Sequence, residues 1–390
     1  MKLKKTMGKL HLWLSLIAGT FICLIALSGS ALVFKDEINR MLNADLYKAT
    51  PGPAVSYQAA LQSVLAAYPK AEISRIYSPN EMSSEGIYTF SIKADKKSLM
   101  VYVDPGTSNI LGTQSSADTL TGWLSDFHEN LLLKDYNGRT IVGIIAIFFF
   151  LILLTGMFIW FPGLKNWVRG FVIRRTTNQY VRHFDLHRVF GISWVPFLLV
   201  VSLTGFLFPF GKDILGAFNL KTSTSPSDKV LVAKPLPAGY IPLDDMIASI
   251  KKEMPDATIT QIRMPKKAEE GKKEGVIEFR LSHQYDPSAS SIGNARAWVE
   301  PYSGKVLAIT DSVKDTSFAS IYQTWLFPLH TGRIGGLVTQ ILYAIGGLVP
   351  TLLMVTGLVM MRLKQAKKKK SAASPAARKT AQPESLPQAQ

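Results

Sequence analysis

Residues 11–34 read HLWLSLIAGTFICLIALSGSALVF, a histidine followed by 23 residues that carry no charge. A helix needs about 20 apolar residues to cross the hydrocarbon core of a bilayer. The same arrangement occurs three more times, with Thr140–Leu164 behind His128, Val189–Phe210 behind His187, and Ile334–Met361 behind His330. Uninterrupted apolar runs of this length are typical of membrane helices, so the sequence predicts four transmembrane helices in a lipid bilayer.

The basic residues are concentrated in segments 1–11, 162–188 and 362–390. These segments hold 18 of the 44 Lys and Arg residues and only 2 of the 28 Asp and Glu residues, so they carry the whole net charge of +16. Four crossings place all three segments on one side of the membrane, and an excess of Lys and Arg marks the cytoplasmic side. We therefore expect both termini in the cytoplasm. No folded basic face accompanies the Lys367–Lys370 run, so no nucleic-acid partner is expected.

The chain follows one plan twice, in the order helix, outer segment, helix. The matching motifs are Leu10-His11 with Leu186-His187, Ser28-Gly29 with Thr204-Gly205, Trp123…His128 with Trp325…His330, and Thr155-Gly156 with Thr356-Gly357. The outer segments also match, since Val101–Pro105 resembles Ala297–Pro301, and each is expected to fold into one helix and several strands. The predicted fold class is a membrane α-helical bundle of four transmembrane helices, built as two tandem helix–domain–helix repeats with two extracytoplasmic α+β domains.

Pairing the two repeats about an axis along the membrane normal brings equivalent histidines together. His11 and His187 then meet near the cytoplasmic face, and His128 and His330 meet near the outer face. Two facing imidazoles in a helical bundle can bind one haem iron, to which the porphyrin supplies four nitrogens. Interfacial hydrogen bonding without haem stays open. Zinc is disfavoured because tetrahedral zinc needs three or four ligands, and the single Cys23 excludes sites built from several thiols.

Glycines lie in the same leaflets as the predicted histidine pairs. Gly29 and Gly205 share the outer leaflet with His128 and His330, whereas Gly156 and Gly357 share the inner leaflet with His11 and His187. A backbone without Cβ would leave room for a flat macrocycle. Close packing of membrane helices accounts for small residues equally well, so both interpretations stay open.

Four other residues have weaker signals. Arg139 and Arg333 follow the outer histidines and could bind haem propionates or anchor the chain to lipid headgroups. His183 lies one helical turn before His187 and is expected to be a solvated loop residue, with a role as an alternative haem ligand left open. His283 has no partner in the repeat and is expected at the surface.

Several motifs resemble the PepSY-associated transmembrane family, the iron-regulated inner-membrane proteins of bacteria. They are Leu10–Trp13, Phe127–Leu133, Asp185–Gly191 and Leu329–Arg333, and the resemblance covers about residues 7–363. It implies a bacterial inner (cytoplasmic) membrane protein whose outer segments are PepSY-like domains. Members that resemble ferric-siderophore reductases carry two haem b groups, so the resemblance implies axial haem ligands at His11, His187, His128 and His330.

The expected boundaries follow from these assignments. They are 1–34 for the N-terminus and first transmembrane helix, 35–127 for the first PepSY-like domain, 128–164 for the outer histidine segment and second helix, 165–187 for the basic cytoplasmic loop, 188–210 for the third helix, 211–325 for the second PepSY-like domain, 326–361 for the second outer histidine segment and fourth helix, and 362–390 for a disordered basic tail.

The expected function is that of an oxidoreductase that passes electrons outward to a ferric siderophore or another ferric chelate. The cytoplasmic parts are too short for a flavin or nicotinamide domain, so the expected electron donor is a separate cytoplasmic reductase or a membrane quinol. The main alternative is a non-redox role, in which the PepSY-like modules bind or restrain an extracytoplasmic protein. A permease is disfavoured because no ionisable residue lies in the middle of any apolar run.

Overall fold

The computed structural model describes residues 2–79, 86–95, 97–221, 223–226, 239–265, 275–282, 293–312 and 314–379. Its α-helices are α1 (Lys2–Leu32), α2 (Lys35–Leu42), α3 (Tyr57–Ala67), α4 (Leu120–Asn130), α5 (Gly138–Trp160), α6 (Gln179–Ala217), α7 (Leu243–Glu253), α8 (Phe318–Thr331), α9 (Gly336–Gly346) and α10 (Val349–Lys379). Its strands are β1 (Glu72–Tyr77), β2 (Tyr88–Ala94), β3 (Lys97–Val103), β4 (Ile110–Ser115), β5 (Thr258–Arg263), β6 (Ile277–Ser282), β7 (Ala295–Val299) and β8 (Val306–Asp311).

Helices of membrane-spanning length occur at the four apolar runs. Among the described residues, the stretches long and apolar enough to cross a membrane are Lys2–Leu32, Gly138–Trp160, Gln179–Ala217 and Arg333–Lys369. The prediction of a membrane protein with four such helices is confirmed. Helices α1 and α6 begin well before His11 and His187, so both histidines lie inside a helix rather than at its start.

The fourth apolar run is divided into two helices. Helix α9 ends at Gly346, and α10 begins at Val349. Pro350 explains the break, because its ring clashes with the carbonyl group four residues earlier, which is that of Gly346, and because it has no backbone N–H to donate. Gly346 also packs closely against Phe197, where an added Cβ would overlap the ring.

The chain divides into two compact units. The first, here called the helical unit, is described for residues 2–27, 145–202 and 345–379. Its core includes Leu153, Val195, Leu198 and Val349. The second, here called the sheet unit, comprises Ser28–Ile144 and Leu203–Ala344.

The described residues of the sheet unit form one antiparallel sheet of eight strands in the order β4-β3-β2-β1-β5-β6-β7-β8. Strands β1 and β5 pair directly, with Ile76 opposite Ile262. The two outer segments, which the sequence suggested as separate domains, therefore share one sheet. Each segment contributes one strand of this central pair and three further strands on its own side.

One face of the sheet packs against α3 and α7 to form a shared apolar core. Its members alternate along the strands as a half-buried sheet requires, and they include Ile76, Phe90, Val101, Ile262 and Phe279. The N-termini of α3 and α7 are also joined by hydrogen bonds between side chains and backbone N–H groups. Asp244 accepts hydrogen bonds from the backbone N–H groups of Tyr57 and Gln58, at 3.1 and 2.9 Å. In return, the Gln58 side chain accepts the N–H of Leu243 at 3.1 Å.

Candidate functional site

The helical unit brings His11 of α1 and His187 of α6 together. Their ring centroids are 6.2 Å apart, and the ring planes are nearly perpendicular, at 85°. Both histidines were expected to form the cytoplasmic pair. Each ring is partly buried between the helix that carries it and one further helix, α5 for His11 and α10 for His187.

The hydrogen bonds of this inner pair determine which ring nitrogen carries the proton. Nδ1 of His11 lies 3.0 Å from the carbonyl oxygen of Ile152, and Nδ1 of His187 lies 3.0 Å from that of Leu353. A carbonyl oxygen can only accept a hydrogen bond, so each Nδ1 must be the donor. In the neutral ring, Nε2 then has no proton and can bind a metal ion.

Two threonine hydroxyls support the same tautomer. Thr155 Oγ1 lies 3.2 Å from Nδ1 of His11, and Thr356 Oγ1 lies 3.0 Å from Nδ1 of His187. Each hydroxyl also donates to carbonyl groups of its own helix at 2.9–3.0 Å. Because its single proton is already used, the hydroxyl oxygen is the acceptor for the imidazole N–H.

The sheet unit brings His128 of α4 and His330 of α8 together. Their ring centroids are 6.1 Å apart. Nδ1 of His128 lies 3.3 Å from Ser28 Oγ, and Nδ1 of His330 lies 2.9 Å from Thr204 Oγ1. A hydroxyl can donate or accept, so these contacts hold the orientation of the rings without fixing the tautomer. The ring of Phe208 also packs edge-on against His330, with centroids 5.2 Å apart.

The distance between the two ring centroids within each pair can be compared with the distance expected for two histidines bound to one iron. Two imidazoles bound to opposite sides of one iron, at metal–nitrogen bonds of about 2.0 Å, place their ring centroids roughly 6 Å apart. The measured separations of 6.2 and 6.1 Å match this value. In the part of the chain that the structure describes, no three His, Cys, Asp or Glu side chains are grouped to hold a metal ion. Each pair thus presents two facing imidazoles, which is the protein ligand set of a bis-histidine haem.

The predicted glycines lie against the histidine rings themselves. A Cβ added to Gly29 would lie 2.6 Å from Cε1 of His128, and one added to Gly156 would lie 3.3 Å from Cε1 of His11. Gly357 is looser, at 3.6 Å from Cε1 of His187. Gly205 follows Thr204 in α6 and is partly buried. At Gly29 and Gly156, the absent side chain leaves room for the neighbouring imidazole ring, whereas a Cβ at Gly357 would make an ordinary contact.

The two predicted arginines differ in their surroundings. Arg139 is exposed at the start of α5. Arg333 pairs with Asp36 of α2 at 2.6 Å, and the two side chains are only 16% and 24% exposed. This ion pair thus connects the residues that follow α8 to α2, within the sheet unit.

Among the described residues, no contact connects His183 to either histidine pair. His183 lies in α6 rather than in a loop, and its Nδ1 is buried without a hydrogen-bond partner. His283 lies outside the described residues.

Asp185 lies two residues before His187 on α6, and no role for it was predicted from the sequence. Its carboxylate is fully buried and accepts from the Arg174 guanidinium at 2.8 and 2.9 Å and from the Arg174 backbone N–H at 3.0 Å. Arg188 lies 3.1 Å away. The available signal was that Asp185 is the single acid among the six basic residues of segment 162–188.

A comparison with protein families matches this chain over residues 9–364, nearly its whole length, to the family described as the PepSY-associated TM region. No curated protein matches the chain. The family predicted from the sequence motifs is confirmed.

Proposed function

This chain belongs to the PepSY-associated TM family, and from that premise we propose that it is a di-haem b electron-transfer protein of the bacterial inner membrane. In this proposal it is an oxidoreductase that reduces an extracytoplasmic ferric complex, a ferric siderophore or similar chelate, for iron uptake.

The observation that carries the proposal is the inner histidine pair. His11 and His187 each donate Nδ1–H to a helix carbonyl, which leaves Nε2 free of a proton, and their rings have the separation of two ligands on one iron. His128 and His330 have the same separation in the sheet unit. When bound, haem b would supply a one-electron redox centre, held by His11 with His187 and by His128 with His330.

In this proposal, the polypeptide determines where the histidine ligands lie and how basic their Nε2 atoms are. The acceptors on Nδ1 hold each inner ring in place and increase the electron density at Nε2, which favours the ferric state of a bound iron. The ion pair between Arg333 and Asp36 helps to stabilise the region around His128 and His330. Arg139 is a candidate contact for a haem propionate or a lipid headgroup.

The order of the elements supports the proposed repeat architecture. Helix α3, strands β1–β4 and helix α4 lie between the first two membrane helices, and α7, β5–β8 and α8 lie between the other two. We interpret these segments as two PepSY-like domains, joined at β1 and β5. The distribution of Lys and Arg supports an orientation with both termini in the cytoplasm, so both domains lie outside.

The acceptor and the donor follow from this orientation. Siderophores hold Fe(III) with hard oxygen ligands, and reduction to Fe(II) weakens this binding and releases the metal. Electrons must come from a partner, a cytoplasmic reductase or a membrane quinol.

An absorption spectrum of the detergent-purified protein tests the proposal. We expect oxidised and dithionite-reduced b-type bands and about two haem groups per chain. His330→Ala should remove one haem and leave the inner site, whereas His187→Ala should remove the other. His183→Ala is the matched control, because His183 lies one turn from His187 on the same helix, and this variant should keep both haems.

A folded but colourless protein would reject the proposal. That result would favour the non-redox alternative, in which the outer domains bind or restrain an extracytoplasmic protein and the helices only anchor them. Loss of haem in the His183→Ala variant alone would show that the ligands are assigned incorrectly.

A further inference from the structure

Four arginines lie together on the polar face of the sheet, opposite the apolar core. They are Arg75 of β1, Arg263 of β5, Arg280 of β6 and Arg296 of β7, here called the arginine cluster. The strand register places Arg75 opposite Arg263 and Arg280 opposite Arg296. Within the described residues, the carboxylate of Glu278 lies among them, opposite Arg263.

The Glu278 carboxylate does not form close hydrogen bonds with the guanidinium groups of these arginines. Its carboxylate oxygens lie 3.4 Å from Arg280 Nε, 3.7 Å from Arg263 Nη1 and 3.8 Å from Arg296 Nε. Both Glu278 Oε1 and Arg280 Nε are buried without a hydrogen-bond partner. One negative charge is thus shared among several positive ones at distances too long for hydrogen bonds.

Arg280 is the most buried member of the cluster. Its side chain is 9% exposed, whereas those of Arg263 and Arg296 are 35% and 21% exposed. Burial, followed by the positive charges of Arg296 and Arg263, lowers the pKa of Arg280 to about 10. A buried guanidinium surrounded by like charges is costly unless an anion accompanies it.

The fold does not require these charges. Strands β1–β3 build the same pattern, since Ile76 lies opposite Phe90 just as Ile262 lies opposite Phe279. The corresponding positions of the first four strands are uncharged: Tyr77, Thr89, Ser91 and Met100 stand where the last four strands have Arg263, Glu278, Arg280 and Arg296. Three of the four arginines, those of β5, β6 and β7, are therefore an addition to the second half of the sheet.

We propose that the arginine cluster binds a ligand with two or more carboxylates. If the proposed function is correct, this ligand is an anionic ferric polycarboxylate chelate, so the cluster selects the charge class of the substrate. Guanidinium groups pair with carboxylates through two parallel hydrogen bonds, and the position of Glu278 shows that a carboxylate fits among them. Arg263 and Arg296 are exposed enough to meet a ligand from solvent.

Titration of the purified full-length protein with citrate tests the site by calorimetry. We expect binding by the native protein and a loss of affinity of at least tenfold in an Arg280→Ser, Arg296→Met double variant. These substitutions introduce the residue types of Ser91 and Met100, which the first half of the sheet accommodates. Arg263→Tyr, which introduces the residue type of Tyr77, repeats the test at a partly exposed position with less risk to folding.

Two controls separate a site from general attraction to a basic protein. Lys93→Ser removes one positive charge from the same face of the sheet, outside the cluster, and should leave citrate affinity unchanged. Glu278→Thr removes the competing carboxylate and should tighten citrate binding several-fold. Equal citrate affinity in the native protein, the double variant and Arg263→Tyr would overturn the proposal, as would inorganic phosphate binding as tightly as citrate.

The haem spectrum of the same samples distinguishes the two proposals. A colourless protein that binds citrate with the expected variant effects would reject electron transfer and retain the anion site. A protein with two haems that reduces a neutral ferric trihydroxamate chelate, and neither binds citrate nor reduces ferric citrate, would reject the anion site alone.

Discussion

At the scale of single residues, the contacts of Gly29 and Gly357 give a matched pair of variants. Gly29→Ala would place Cβ 2.6 Å from Cε1 of His128, so the ring must move away from Ser28. Gly357→Ala would place Cβ 3.6 Å from Cε1 of His187, which is an ordinary contact. For the proposed di-haem protein, we expect Gly29→Ala to lose the haem at His128 and His330, about half of the haem absorbance, and Gly357→Ala to keep both haems. Haem content per chain measures the difference.

The two glycine variants make the same chemical change inside a membrane helix, so general effects on helix stability should be similar. Equal haem loss in both would contradict the steric argument. Full haem content in Gly29→Ala would show that the His128 ring can adjust without losing its ligand position.

The hydroxyl residue before each glycine shows how much of the site the sequence could provide. The internal repeat predicts which histidines pair, and the structure places the members of each pair together. In the Ser-Gly and Thr-Gly motifs, only the glycines had a predicted role. The hydroxyls of Ser28, Thr155, Thr204 and Thr356 each contact an imidazole Nδ1. Residue spacing alone could not show this, because it fixes neither side-chain direction nor the helix that lies opposite.

At the scale of elements, the loop after β3 depends on one buried carboxylate. Asp104 accepts hydrogen bonds from the N–H and hydroxyl of Thr50 at 2.9 and 2.6 Å, from the Gly106 N–H at 3.1 Å and from the Thr107 hydroxyl at 2.7 Å. We expect Asp104→Ala to lower the free energy of unfolding of the sheet unit by about 3 kcal/mol, because four donors lose their acceptor. Hydrogen exchange of β3 and β4 measures this loss.

The corresponding Glu300 after β7 is the control for Asp104. It accepts from the Ser303 hydroxyl and is partly exposed, so Glu300→Ala should cost less. An equal loss of unfolding free energy in Asp104→Ala and Glu300→Ala would show that the buried hydrogen bonds of Asp104 add no stability.

The Asp104 network also has a pH signature. Burial would raise the pKa of Asp104, but the hydrogen bonds from Thr50, Thr107 and Gly106 outweigh it and lower the pKa to about 2, against an ordinary value of 3.8. A carboxyl whose pKa is depressed in the folded state stabilises that state above its unfolded pKa, and this contribution is lost as pH falls towards the folded pKa. The stability difference between the native protein and Asp104→Ala should therefore be full at pH 7 and clearly smaller at pH 3, by the same exchange measurement.

The elements themselves were largely predictable, since apolar periodicity and length report on local structure. The helix expected in each outer segment corresponds to α3 in the first segment and to α7 in the second. The break before Pro350 and the extension of α6 back to Gln179 were missed. An apolar run marks the part of a helix inside lipid, and it reports neither polar turns beyond the membrane nor a local interruption.

At the scale of the whole molecule, the two outer segments share one sheet and one core. Ile76 and Ile262 are both fully buried, lie opposite each other and belong to the same apolar cluster. No sequence pattern specifies which edge strands of two similar segments will pair, because each segment has the same alternation of apolar residues. The pairing of β1 with β5 is therefore a property that only the three-dimensional structure provides, and it makes the two segments depend on each other.

This dependence leads to a prediction about cooperative unfolding. Ile76→Ala should lower the free energy of unfolding by about 3 kcal/mol, because a buried cavity is created. We expect faster hydrogen exchange in β7 of the second segment as well as in β3 of the first, and Ile262→Ala should give the reciprocal result. Independent domains would confine each effect to the segment that carries the substitution. Exchange in β7 that is unaffected by Ile76→Ala would show that the β1–β5 pairing does not couple the stability of the two segments.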